Sequence, residues 1–162
     1  MVGRVQYILI AGAMAMLSHL SLTVNSSILA TSDLSNQNEA VLGATSIAQS
    51  VLREVAAKKF DEKTIGKSVS SVDSLTAVGS LGPESGETYA NFDDVDDFNG
   101  YVRTATTDRL GNFNVAVAVS YTDKTTPGGV SSARTFMKAI TVTVSGNPSL
   151  QQNVVMKTIV SY

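Results

Sequence analysis

The chain of 162 residues contains no cysteine, no tryptophan and a single histidine, His19. Without cysteine there is no disulfide, no thiolate nucleophile and no cysteine-based zinc site. With one histidine, placed in an apolar stretch, a Ser/His/Asp arrangement has no base to build on. G-x-S-x-G, the Walker loop, H-E-x-x-H and G-x-G-x-x-G are all missing, so no residue set supports an enzyme. Charge is also sparse: 16% of residues are Asp, Glu, Lys or Arg, against roughly 25% in soluble domains. The net charge is -2 and no basic run exceeds Lys58-Lys59, which argues against a nucleic-acid partner. No proline occurs before Pro83, so nothing in the first half obliges a helix to break. Apolar residues are not scarce: at 43% they suffice for a core.

The longest charge-free run decides the class. Val5 to Val24, VQYILIAGAMAMLSHLSLTV, holds 20 residues without Asp, Glu, Lys or Arg. As a helix rising about 1.5 Å per residue it spans about 30 Å, the thickness of a bilayer core. Arg4 stands just before it, which under the positive-inside rule keeps the N-terminus cytoplasmic and sends the rest outward. Three readings are open. One is a cleaved secretory signal, with Arg4 as its basic region and Ile28-Leu29-Ala30 as a poor cleavage site. The second is a membrane anchor. The third is a helix that sits in the membrane and later packs against copies of itself, helped by the small residues Ala11, Gly12, Ala13, Ala15 and Ser18. His19 reads as a half-exposed polar residue near the outer end of this helix, not as a ligand or proton relay.

Beyond it, Thr31-Ser32-Asp33 offers capping side chains, and Asn36 with Glu39 forms a candidate cap pair. From Leu34 to Lys59 apolar residues recur at helical spacing: Val41, Ala44, Ala48, Val51, Leu52 and Val55. One helix of about 53 residues and about 80 Å would connect the two halves, with a weak point between Asn25 and Ser35. Residues 60–100 read as an irregular loop rich in Gly, Ser and Asp, with short elements around Ser68 to Val78. After Gly100 the period changes to two. Tyr101–Thr106 is a short candidate strand. Runs from Phe113 to Tyr121, Phe136 to Val144 and Val154 to Tyr162 alternate apolar with polar or small residues. Strands this close in sequence pair antiparallel most easily. The expected fold is α+β: a hydrophobic helix over 1–30, then an extracellular domain over 31–162. That domain comprises an amphipathic helix 34–59, a loop 60–100 and a four-stranded sheet 101–162 packed on the helix's C-terminal half.

One dense acidic cluster exists, Phe92-Asp93-Asp94-Val95-Asp96-Asp97-Phe98-Asn99-Gly100. Four carboxylates in five residues repel one another unless something positive lies near. Calcium would serve, with Asp93, Asp94, Asp96 and Asp97 as ligands, although the EF-hand spacing is absent. The plainer reading anchors the loop by Phe92 and Phe98, its carboxylates capping backbone N–H groups or pairing with Arg103. Lys138 shares a strand face with Ile140 and Val142. It reads as a strand end or an edge residue facing solvent, or as one half of an inter-subunit salt bridge.

Several segments together resemble type IV pilin-like proteins. Ala48 to Glu62, AQSVLREVAAKKFDE, is similar to the end of the first helix of minor pilins. Phe92 to Tyr101, FDDVDDFNGY, resembles the acidic motif of minor pilins of the mannose-sensitive haemagglutinin type, and a divergent major pilin is the other match. The strand Met137 to Val144 and the final strand after it are similar too. Gln6-Tyr7 is similar to the Glu-Tyr pair of small Flp-type pilins. Gly3 is followed by Arg4-Val5-Gln6-Tyr7, and no acid precedes Asp33. The family's Glu, which pairs with a neighbouring subunit's amine, is therefore missing here or replaced by a neutral hydrogen bond from Gln6. The resemblance implies a structural subunit of a surface filament. Such a subunit has a membrane-inserted precursor, secretion and assembly machinery as partner, a helical homopolymer as product and a role in cell adhesion. Gln6, Tyr7, Ile8, Ala11, Gly12, Ala15 and Leu20 would make the assembly face. The alternative is a membrane-anchored or secreted adhesin or scaffold that never polymerises.

Overall fold

The computed structural model describes residues 3–162; whether Met1 is the initiator or the first mature residue concerns a position outside them. Helix α1 runs without a break over Arg4–Ala56, 53 residues. The expected weak point does not form. The hydroxyls of Thr23, Ser26 and Thr31 each bond a carbonyl three or four residues earlier at 2.9 Å. Their polarity is thus satisfied inside the helix instead of competing with it. Thr31-Ser32-Asp33 and the Asn36/Glu39 pair consequently cap no helix start. The C-terminus comes at Ala56 rather than Lys59. Lys58 N–H donates to the Val55 carbonyl, tightening the last turn, and Lys59 leaves to pair with another segment.

Two compact units divide between Glu39 and Ala40. In the first, every large apolar side chain from Val5 to Leu34 is exposed. In the second, Ala40, Ala44, Ala48, Val51, Leu52 and Val55 form one buried stripe at a period near 3.6. Three of these six residues are alanines, all fully buried.

The sheet is a meander in chain order: β1 (Val102–Thr107), β2 (Gly111–Tyr121), β3 (Met137–Ser145) and β4 (Val154–Ser161), all antiparallel. Phe113, Val115, Val117, Val119 and Tyr121 of β2 and Ile140, Val142 and Val144 of β3 point into the core, as the period of two requires. All but Tyr121 make one apolar cluster with the helix stripe, while Tyr121 packs in a second cluster with Phe60 and Leu75. Between α1 and β1 lie five short 3-10 turns, of which Val72–Ser74 and Val78–Ser80 fall in or beside the segment expected to hold short elements. A parallel bridge between Lys59 and Asp94 ties the helix exit to the acidic segment, through Lys59 N–H to Asp93 O at 3.1 Å and Val95 N–H to Lys59 O at 2.9 Å.

Candidate functional site

Each unit carries one candidate. In the helical unit, Gln6, Tyr7, Ile8, Ala11, Gly12, Ala15 and Leu20 all lie on α1 and all are exposed. Ile8, Ala11, Gly12 and Ala15 recur at three- and four-residue steps and share a face. A side chain at Gly12 would meet nothing within 4 Å. His19 is exposed and its carbonyl accepts the Thr23 hydroxyl. The helix is long and apolar enough to cross a membrane.

In the globular unit the bridge between Lys59 and Asp94 sets two acidic segments side by side, and β3 delivers a lysine between them. Lys138 is not at an edge and does not face solvent: it is completely buried. Its strand phase is that of Ile140, Val142 and Val144, and on an inner strand that phase leads only inward. The ammonium is paid for by three oxygens, Phe60 O at 2.7 Å, Asp61 Oδ2 at 2.9 Å and Asp96 Oδ1 at 2.5 Å. The Phe60 and Tyr121 rings lie 4.4 and 5.1 Å from it.

Asp61 is the best-satisfied carboxylate. Oδ1 accepts Lys63 N–H at 3.0 Å and the Thr76 hydroxyl at 3.0 Å, and Oδ2 accepts Thr76 N–H at 3.1 Å as well as Lys138. Burial alone would raise its carboxyl. The hydrogen bond and charge of Lys138 and the two backbone donors outweigh burial and hold it below the ordinary 3.8. Tyr121 Oη donates to Thr76 O at 2.8 Å and sits 3.1 Å from Asp61 Oδ2. Burial, then the charges of Asp61 and Asp96, push that phenol far upward.

The acidic motif is divided by burial. Asp93 is exposed, whereas Asp94, Asp96 and Asp97 are interior. Asp94 Oδ1 accepts the N–H groups of Asp96 at 2.6 Å and Asp97 at 3.2 Å, and Asp97 Oδ2 accepts those of Asp93 at 2.9 Å and Asp94 at 3.1 Å. Burial first, and then the charges of Asp96 and Asp97, push the Asp94 carboxyl up to about 8. Burial raises Asp96 to about 6 despite Lys138. Phe92 and Phe98 anchor the segment edge to face at 5.1 Å, as the sequence suggested. Two lysines reach this segment, Lys138 at Asp96 and Lys58, whose ammonium donates to the Phe92 carbonyl; Arg103 donates instead to the Tyr89 hydroxyl at 3.5 Å.

Of the four aspartates proposed as calcium ligands, Asp97 is the one that falls in a cluster of three acidic groups close enough to share an ion, among the described residues. One carboxylate oxygen from each of Glu84, Glu87 and Asp97 lies within 4.8 Å of the others. Sequence reasoning missed Asp61, Glu84 and Glu87, which are remote from the motif in the chain. It noted the strand phase of Lys138 but did not follow it inward. The chain matches no protein-family model, no curated protein and no solved structure.

Proposed function

We propose that the chain is the structural subunit of a type IV pilus-like extracellular filament, assembled by packing its apolar N-terminal helix against copies of itself. One observation carries this reading: every large apolar side chain from Val5 to Leu34 is exposed on a helix that continues to Ala56. Burying each such side chain is worth about 1.5–3 kcal/mol, so over this segment the driving term is on the order of 20–40 kcal/mol. Water is not a tolerable neighbour at that cost. A bilayer core covers about 20 helical residues, which suits Val5 to Val24. Ile28, Leu29 and Leu34 lie beyond that length and are still exposed, so they need a second cover. Neighbouring helices supply it, and lipid holds the segment only until they do.

The face bearing Ile8, Ala11, Gly12 and Ala15 suits close helix approach. Gln6 replaces the charged contact of pilins by a neutral hydrogen bond. A head-to-tail contact between identical subunits that does not close grows into a filament. The partners are copies of the chain, the cytoplasmic membrane before assembly and an assembly machinery. The product is a cell-surface fibre suited to adhesion.

The test is removal of detergent from the full chain, followed by negative-stain electron microscopy. Filaments are expected from the wild type. Gly12→Leu should abolish them while leaving membrane insertion intact, because it keeps the segment apolar and fills the close-approach face. Monomers or vesicles alone from the wild type would reject assembly and favour a non-polymerising anchored adhesin.

A further inference from the structure

Glu84, Glu87 and Asp97 lie outside the Lys138 cluster and outside the filament helix, and the filament reading does not use them. Their oxygens nevertheless converge within 4.8 Å. Two features prepare them. The segment Glu84–Glu87 is a closed turn: Glu87 N–H donates to Glu84 O at 3.0 Å, and Glu84 N–H donates to Glu87 Oε2 at 3.0 Å. Gly86 sits at φ +91°, a conformation that needs glycine. Asp97 is fixed from the other side, its Oδ2 held by two backbone N–H groups. Its second oxygen is the independent sign of a ligand. Asp97 is 1% exposed, and Oδ1 has no hydrogen-bond donor. A buried carboxylate oxygen without a donor is costly, and here the neighbouring side chains are two more carboxylates.

We propose that Glu84, Glu87 and Asp97 form a calcium site that clamps the turn at residues 84–87 to the acidic segment. The donor chemistry selects the ion. All three ligands are hard oxygens with no imidazole or thiolate among them, which suits calcium over zinc or copper. Oxygens bound to one calcium at about 2.4 Å stand up to about 4.8 Å apart, the separation within which these three lie. Magnesium, at about 2.1 Å and near-ideal octahedral, requires a tighter set. Glu84 is exposed and Glu87 half-buried, so water completes the six to eight ligands that calcium takes. This site differs from the Asp93-Asp94-Asp96-Asp97 set suggested by the sequence, and shares only Asp97 with it.

The experiment uses the full chain in detergent, stripped with EGTA and dialysed to equilibrium against radioactive calcium chloride. One calcium per chain is expected, with a melting temperature about 5 °C higher in 1 mM calcium than in EGTA, and no such rise in 1 mM magnesium. Glu84→Gln/Glu87→Gln should lose both the bound calcium and the rise. Its melting temperature in EGTA should match or exceed wild type, because both side chains sit on an accessible turn and repel each other when ionised. Absence of bound calcium in the wild type, or equal binding by the double variant, overturns the proposal. So does a magnesium response equal to that of calcium.

Discussion

Replacing Lys138 by methionine removes the ammonium but keeps the length of the side chain, so the consequence can be followed oxygen by oxygen. Asp61 retains Lys63 N–H, Thr76 N–H and the Thr76 hydroxyl, and remains a satisfied anion. The Phe60 carbonyl loses the Lys138 donor, at about 1–3 kcal/mol for a buried acceptor left bare. Asp96 fares worst. Lys138 is its ion-pair partner, through Oδ1 at 2.5 Å, and it is 1% exposed. It must then stay charged without a counter-ion or take up a proton. Breaking a buried pair from one side costs about 3–5 kcal/mol. At roughly 3–5 °C per kcal/mol for a unit of this size, Lys138→Met should lower the melting temperature by about 10–20 °C. Circular dichroism of the detergent-solubilised chain reads this directly. Adding Asp96→Asn removes the stranded charge, so the double variant should recover part of the loss, with a coupling of about 1–3 kcal/mol. A single variant melting within about 3 °C of wild type, or no recovery in the double variant, would refute the assignment of Lys138 as the charge that holds the loop to the sheet.

The remaining expectations concern pH and packing. Asp61 has a folded pKa below 3.8, so in acid the unfolded chain binds its proton first. Its stabilisation is therefore present above about pH 3.8 and disappears as pH falls through the lower folded value. Asp61→Asn should flatten that acid limb in a melting-temperature profile. Asp94 acts in the other direction. Pushed up to about 8, it keeps a proton in the folded chain that the unfolded chain has released, so its contribution declines between about pH 4 and 8. In EGTA, Asp94→Asn should abolish this decline and melt above wild type at pH 8, since the amide oxygen can still accept from Asp96 and Asp97 N–H. Gly43→Ala should raise stability by about 0.5–1 kcal/mol in denaturant titration. The new methyl meets the Leu110 side chain at 3.3 Å, which can yield, and touches the Phe113 ring at 3.9 Å, an ordinary contact. Gly146→Ala should do the reverse, because Gly146 has φ +79° and a methyl there would stand 2.5 Å from Asn114 Nδ2.

The regular elements were legible because each depends on a short-range pattern. The β2 run Phe113 to Tyr121 alternates strictly, and the structure places each of its odd-numbered residues in the core. Helix α1 was legible for the same reason. Its continuity through Asn25 to Ser35 was not, since a Ser or Thr hydroxyl serves equally as a cap or as a bond to its own turn, and only the chain beyond decides. The charged centre was harder still. Asp61 and Lys138 are 77 positions apart, and nothing local to Asp61 distinguishes it from the acids around it. Glu84 and Glu87 looked like ordinary loop acids until the fold brought Asp97 to them.

Lys138 was a different failure, and it bears on how the fold is specified. A lysine in phase with Ile140, Val142 and Val144 reads from the sequence as a strand end or a solvent-facing edge, yet here it is buried, and a buried ammonium is expensive. That expense is what gives it discriminating power. A slip of β3 by one residue would turn Ala139, Thr141 and Thr143 inward, a modest loss of apolar area. It would also carry the ammonium away from Asp61 and Asp96, leaving two interior carboxylates without their cation. The apolar faces of β2 and β3 hold the sheet to the helix. The single charge on β3 singles out one register, and with it the position at which the loop from Phe60 to Phe98 must close over the sheet.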